Sequence, residues 1–446
     1  MNRILALAVV SLALFLTLSA EVCAQDFEAL AKDVAQELAA RQYDKVEARF
    51  DARMASALPL ENLKSFWEST LAQHGDFKMV SNLASAEQQG YHVITLTCKF
   101  EKASLNLILA FDKDSKIAGL HLLPVAAPWT APDYANPSAF HEQSVTIGTD
   151  PWQLPGTLTV PNGAGPFPGL VLVQGSGPND EDETIGPNKP FKDLAWGLAS
   201  HGIAVLRYEK RTHKYAAQLA KDLGNMTVKE EVTDDARAAV ALLSTQPEVD
   251  RKRIYVLGHS LGGMLAPRIA EGDDHIAGII IMAGSTRQLG QIVVDQVKYL
   301  STLSGPVGDG AKKQIEAAEK FARDYDSPTL KPGETVSMMG IPVPGSYVLD
   351  LRSYDPTATA SRLKIPILVL QGESDYQVTK KDFEGWEKTL AGHRSVTMKS
   401  YPGLCHLFMP AGNPPSPADY DKPGHVARSM LDDIASWIDA QHGELK

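Results

Sequence analysis

Gly258-His259-Ser260-Leu261-Gly262 sets a serine between two glycines, after the β-branched and apolar run Arg253–Leu257 and before a helix-like stretch from Leu261 to Ile269. A strand that turns abruptly into a helix has no room for side chains beside the central residue. Glycines on both sides therefore leave a strained serine standing clear of the sheet, at the positive end of the helix. Such a hydroxyl attacks a carbonyl only when a base takes its proton and a carboxylate holds that base in the right tautomer. Ser260 is thus expected to be the nucleophile of an acyl transfer.

With the nucleophile on this kind of turn, the acid and then the histidine follow it in the chain. The apolar run Ile365–Gln371 ends at Gly372-Glu373-Ser374-Asp375. Asp375 therefore falls in the loop leaving a strand's carboxyl end, where a parallel sheet builds its site; Glu373 is the competing acid. Three histidines follow in a plausible region: His393, His406 and His425. His406 comes after the strand-like Ser395–Tyr401 and the turn Pro402–Cys405, at a strand end, and is the expected base. His393 precedes that strand, and His425, at the start of the last helix, is the other candidate. The backbone N–H of Leu261 is expected to be one oxyanion donor. The second is expected from Gln174-Gly175-Ser176-Gly177-Pro178, which leaves another apolar run: Ser176 N–H, with Gly175 as the alternative.

These residues need a sheet to hold them. Beyond His141, short apolar runs at Gly169–Gln174, Ile203–Tyr208, Arg253–Leu257, Gly278–Ala283 and Ile365–Gln371 alternate with helical stretches at Phe191–His201 and Thr227–Gln246. The latter opens on the capping box Thr227-x-x-Glu230. That alternation predicts an α/β fold with a mostly parallel sheet wrapped by helices. The rhythm breaks over residues 285–362, where helical segments Leu289–Leu300 and Ala311–Tyr325 precede the irregular Met338–Pro344. An insertion of this size predicts a cap over the site, with Tyr347, Met338 and Gly175 as candidate substrate contacts. The acidic run Asp180–Glu183 reads as a solvated face, or as a binding place for a substrate ammonium. The cluster Arg207–Arg211 reads as a brace for loops.

Residues 25–123 read as a separate small α+β domain. Phe27, Leu30, Val34 and Leu38 have helical spacing, and strands are expected at Tyr91–Glu101, Leu105–Phe111 and Ile117–Leu122. Prolines 124, 128, 132 and 137 make residues 124–140 an expected extended linker to a hydrolytic domain spanning 141–446.

The whole composition narrows the partners. The chain has 446 residues, 44% hydrophobic and 22% charged, with a net charge of -11. No basic cluster suggests nucleic acid. A positive start, an apolar stretch from Ile4 to Leu18 and small residues before Gln25 describe a cleavable leader over residues 1–24, hence an exported protein, periplasmic or secreted. No membrane-spanning segment is expected after cleavage. Glu21 and Val22 disfavour lipidation of Cys23. The remaining Cys98 and Cys405 fall in different expected domains and are read as unbridged, with Cys98 on a buried strand face. No spaced Cys/His set, phosphate loop or dinucleotide fingerprint is present, so no metal or cofactor is expected.

With these residues in view, the region from His141 onward resembles the α/β-hydrolase superfamily, and within it bacterial carboxylesterases related to serine aminopeptidase and acyl-peptidase-like hydrolases. Gly175–Asp180, Thr184–Phe191 and Arg207–Thr212 carry that likeness more specifically than the serine box does. The resemblance implies Ser260, Asp375 and His406 as a triad acting on a small-molecule ester. It also implies a small N-terminal domain of unknown function, with a cone-shaped curved sheet. Related sequences span esters, thioesters and peptides, so an aminopeptidase, acyl-peptidase or thioesterase is the alternative implied.

Overall fold

In a computed structural model, the structure describes residues 26–441 apart from 89, 126, 127, 304, 306 and 307. The expected leader therefore lies outside the described residues. The chain divides into two compact units between residues 125 and 126.

The first unit opens with helices Phe27–Ala39, Tyr43–Glu47, Ala52–Ala57 and Leu60–His74. An antiparallel meander follows: β1 (Phe77–Gln88), β2 (Tyr91–Phe100), β3 (Ser104–Phe111) and β4 (Ile117–Pro124). On β2 and β3 the register sets Ile94 opposite Leu109, Leu96 opposite Leu107 and Cys98 opposite Leu105. All six are buried, with Trp67, Val34 and Leu38 packed in the same core. Each fully buried aliphatic side chain of that face contributes about 1.5–3 kcal/mol relative to exposure. Strand β1 has no counterpart in the expected elements. It is an edge strand with Met79, Asn82, Ala84 and Glu87 exposed and its register shifted twice, so it carries no buried alternation to be read. Cys98 and Cys405 are both free, buried thiols.

The second unit is built on an eight-stranded sheet. Its strands are β5 (Phe140–Ile147), β6 (Leu154–Pro161), β7 (Phe167–Val173), β8 (Ala204–Tyr208), β9 (Val249–His259) and β10 (Ile276–Met282); β11 (Thr335–Met338) and β12 (Ile341–Pro344) form a separate hairpin, and β13 (Ile367–Gly372) and β14 (Val396–Tyr401) complete the sheet. The order is β14-β13-β10-β9-β7-β8-β6-β5, parallel from β14 to β8 and antiparallel at β6 and β5. The central strands are buried on both faces (Leu170–Val173, Ile254–Leu257, Ile279–Met282 and Ile367–Leu370 are all at most 1% exposed), as parallel strands covered by helices must be. Strands β5 and β6 were also absent from the expected elements, because β5 alternates polar residues with only a few apolar ones.

Three expectations change in detail. The stretch Met338–Pro344, expected to be irregular, is the hairpin β11–β12. Its two-residue turn has Met339 at φ 52° and Gly340 at φ 92°, the left-handed pair that suits the twist of a tight hairpin. The helix expected from Thr227 begins instead with one π turn, Lys229–Thr233, followed by the α-helix Asp234–Leu243. Thr227 and Glu230 still cap it, with Thr227 N–H donating to Glu230 Oε2 at 2.9 Å. The proline-rich segment expected to be a linker packs on the second unit from Trp129 onward. Trp129 Nε1 donates to Asp193, and Tyr134 Oη donates to the Val426 carbonyl. Two aromatic side chains with polar tips thus fix a stretch that proline content alone marks as extended.

Candidate active site

Ser260 sits between β9 and the helix Leu261–Ala270 at φ 55°, ψ -113°. A residue with a side chain adopts such angles only when its surroundings impose them. A Cβ on Gly258 would lie 2.0 Å from the Gly262 carbonyl oxygen, and one on Gly262 would lie 2.3 Å from that of Val173. The two glycines are required by close backbone approach, and Ser260 N–H donating to Met282 O at 2.9 Å pins the turn to β10.

The loops after β13 and β14 bring the other two residues together. Asp375 and His406 are each 5% exposed, and His406 Nδ1 lies 2.6 Å from Asp375 Oδ2. The second carboxylate oxygen accepts from the backbone N–H groups of Gln377 at 2.7 Å and Val378 at 3.0 Å. His406 is drawn to the serine turn by His259, whose Nε2 is 3.0 Å from the His406 carbonyl oxygen. Among the described residues no hydrogen bond joins Ser260 Oγ to His406, a contact that commonly tightens only when substrate is bound. The competing residues are occupied elsewhere. Glu373 is exposed and accepts from Ser400 Oγ, His393 bonds the Leu363 carbonyl, and His425 bonds Asp193.

Ser260 opens into a cavity of about 220 Å³ shared with Ser176 and Leu261. Its walls come from the helix after Ser260 and from the insertion: Met264, Leu289, Ile292, Val293, Met338, Tyr347, Leu351 and Tyr354. Tyr347 and Met338 thus line it, whereas Gly175 does not; a Cβ on Gly175 would lie 3.1 Å from Ser260 Cβ. Gly175 N–H donates to Glu183 Oε1 at 2.6 Å, so it is not a free donor. Ser176 N–H and Leu261 N–H have no partner among the described residues. The cavity's one charged side chain among the described residues is Arg287, which is matched by Asp382 and Asp295 at 2.7 Å each.

The acidic run is not a solvated face. Asp182 and Glu183 are buried; Glu181 accepts from Thr157, Asp182 pairs with Arg207 and Lys189, and Asp180 caps Thr184. Arg211 pairs with Asp235. Composition alone does not show that Asp182 is neutralised by Lys189, 7 residues on, and by Arg207, 25 residues on. Glu183, His259, Lys210 and Glu231 are the site residues that sequence reasoning missed. Lys210 lies inside the cluster read as a brace, and His259 inside the serine box itself.

Both ring nitrogens of His259 face acceptors, Glu183 Oε2 at 2.9 Å and the His406 carbonyl at 3.0 Å. A neutral imidazole has one donor, so the cation fits these partners. Burial works against the charge, but Glu183, the His406 carbonyl and Asp375 outweigh it, and the pKa lies above its ordinary 6.5. The stabilisation is therefore complete below about pH 6.5 and is lost as pH rises through the folded-state value. In thermal unfolding from about pH 6 to about pH 9, the margin over His259→Gln is expected to shrink with rising pH. A margin that stays flat or grows would exclude the buried cation.

Among the described residues, no three His, Cys, Asp or Glu side chains are grouped to hold a metal ion, and no helix is long and apolar enough to cross a membrane.

A strained serine at the carboxyl edge of a mostly parallel sheet, with a buried Asp–His pair beside it, defines a hydrolase of the α/β class. Residues 170–419 match the family described as "Alpha/beta hydrolase family", and residues 31–120 match "Protein of unknown function (DUF3887)". The chain belongs to the alpha/beta hydrolase family. It is 38% identical over 404 residues to Esterase EstD of Thermotoga maritima, covering 90% of this chain and 93% of that protein. Among solved structures, it is similar to Est1E from Butyrivibrio proteoclasticus (16% identity, TM-score 0.44, 68% of this chain and 98% of that one). An esterase of Pyrococcus furiosus is similar at 14% identity and TM-score 0.43, over 71% and 96% of the two chains.

Proposed function

We propose that this chain is a serine carboxylesterase that cleaves uncharged esters of short to medium acyl length through an acyl-enzyme. The observation that carries this reading is the 2.6 Å contact of His406 with Asp375, tied to the strained serine turn through His259. His406 Nε2 takes the Ser260 proton as the hydroxyl attacks the ester carbonyl. Leu261 N–H and Ser176 N–H hold the oxyanion. The imidazolium then gives its proton to the leaving alkoxide. Water enters, His406 activates it, and the acyl group departs as the acid, while Asp375 keeps the ring in one tautomer. The likeness to an esterase over nearly the whole chain supports an ester as substrate. The composition of residues 1–24 supports an exported enzyme.

The cavity supports a choice between substrates. No carboxylate lines it among the described residues, and the run Asp180–Glu183 is engaged by protein groups, so a substrate ammonium finds no partner there. Its 220 Å³ falls below the roughly 300–1,000 Å³ of sites that enclose drug-sized ligands, which favours short chains. Across p-nitrophenyl esters from acetate to palmitate, kcat/KM is expected to peak at short to medium chains and to fall at least about tenfold by palmitate. An aminoacyl p-nitroanilide is expected to be a far poorer substrate. Faster cleavage of the anilide than of any ester would replace this reading with a peptidase.

A further inference from the structure

The loop after β7 is gripped by two buried charges of opposite sign. Glu183 takes the Gly175 N–H at 2.6 Å, and Lys210 Nζ donates to the Gly175 carbonyl at 2.6 Å, with Asn179 Nδ2 adding a weaker contact at 3.2 Å. Glu183 and Lys210 are each 2% exposed. Lys210 is itself matched by Glu231 Oε1 at 2.6 Å, and Glu231 is turned inward by the single π turn Lys229–Thr233. Such turns are uncommon and are often kept at functional sites.

A trans peptide is planar, with its C=O and the following N–H on opposite edges. Drawing the Gly175 carbonyl toward Lys210 therefore sends the Ser176 N–H the other way. Ser176 lines the cavity with Ser260 and Leu261, and its N–H has no partner among the described residues. We infer that Lys210 is a positioning residue for the oxyanion hole, gripping the Gly175 carbonyl so that Ser176 N–H points at the developing oxyanion. The inference rests on the proposed role of Ser176. A charge-assisted bond to the carbonyl also polarises the peptide and strengthens its N–H as a donor. Lys210 touches no substrate. A merely mechanical brace would not need a buried ammonium, since apolar residues of like volume usually serve as well.

Two variants test it. Lys210→Met strands a buried carboxylate and risks the fold. Lys210→Met/Glu231→Gln removes both charges together and leaves no buried carboxylate without its cation. On p-nitrophenyl butyrate, kcat per titrated active site is expected to fall about 10²–10³-fold, the usual cost of one oxyanion donor. KM is expected to stay within about twofold. Affinity for an alkylboronic acid, whose tetrahedral adduct places an oxygen in the hole, is expected to fall by a factor similar to that in kcat. A double variant with kcat per site and boronate affinity unchanged, whatever its melting temperature, would overturn the inference. If Ser260→Ala is inactive in the same assay, that result removes the role of Lys210 alone. If Ser260→Ala retains turnover, the nucleophile assignment fails, and this inference with it.

Discussion

Replacing Ser260 with alanine is expected to lower kcat on a p-nitrophenyl ester by about 10⁶-fold and to leave the fold intact. The two outcomes have separate origins. The turn is held by backbone groups: Ser260 N–H to Met282 O, Met264 N–H to Ser260 O, and the close approaches at Gly258 and Gly262. None of these uses the hydroxyl, and alanine is no worse than serine at positive φ. The melting temperature therefore moves little, whereas the acyl-enzyme burst disappears. What turnover remains comes from the oxyanion donors and the cavity alone. A fall smaller than about tenfold would point to another nucleophile. Cys405, beside His406, does not serve as one, because burial pushes its thiol pKa up and keeps it protonated.

Asp375→Asn is expected to cost about 10⁴-fold in kcat with KM nearly unchanged. The hydrogen bonds around the carboxylate explain the size. One oxygen accepts from the N–H groups of Gln377 and Val378, and the other faces His406 Nδ1. An asparagine must keep its oxygen toward the two backbone donors, so its amide N–H₂ turns to the histidine. Nδ1 then has to accept, the ring proton moves to Nε2, and the base can no longer take a proton from Ser260. Glu373→Gln, two residues earlier, is the control: the Glu373 side chain is exposed and, among the described residues, accepts only from Ser400 Oγ, and kcat is expected to hold. A large loss in Glu373→Gln with Asp375→Asn still active would reverse the acid assignment.

The residues whose placement follows from local pattern were legible. Glycine spacing marks the turn at Ser260, and an apolar run ending in Gly-x-x-Asp marks the loop after β13. The order of acid and histidine in the chain leaves His393, His406 and His425, and a place after the strand-like Ser395–Tyr401 and its turn favours His406, with His425 as the other candidate. The residues that were not legible act through distant partners. Glu183 reads as one acid in a run of four until β9 sets His259 against it, 76 positions away. Lys210 reads as one cation in a cluster until the π turn places Glu231 beneath it. Strands β1 and β5 escape notice because an edge strand with exposed side chains leaves no alternation to detect. The hairpin β11–β12 escapes because methionine at a left-handed position is not a turn signal.

The insertion that walls the cavity leaves the sheet after β10 and returns before β13, and these two strands are hydrogen-bonded neighbours in parallel register from Ile279–Ile367 to Met282–Leu370. Its point of departure, at the carboxyl end of β10, and its point of return, at the amino end of β13, therefore lie at opposite edges of the sheet, and the insertion is the crossover that joins two parallel neighbours. A change of length inside that crossover leaves the β10–β13 register itself untouched, because backbone groups of the two strands make the pairing. Most side chains that wall the cavity thus stand on a different stretch of chain from Ser260, Asp375 and His406. Changes within that stretch, together with Met264 on the helix after Ser260, would reshape the cavity while leaving the Asp375–His406 contact in place.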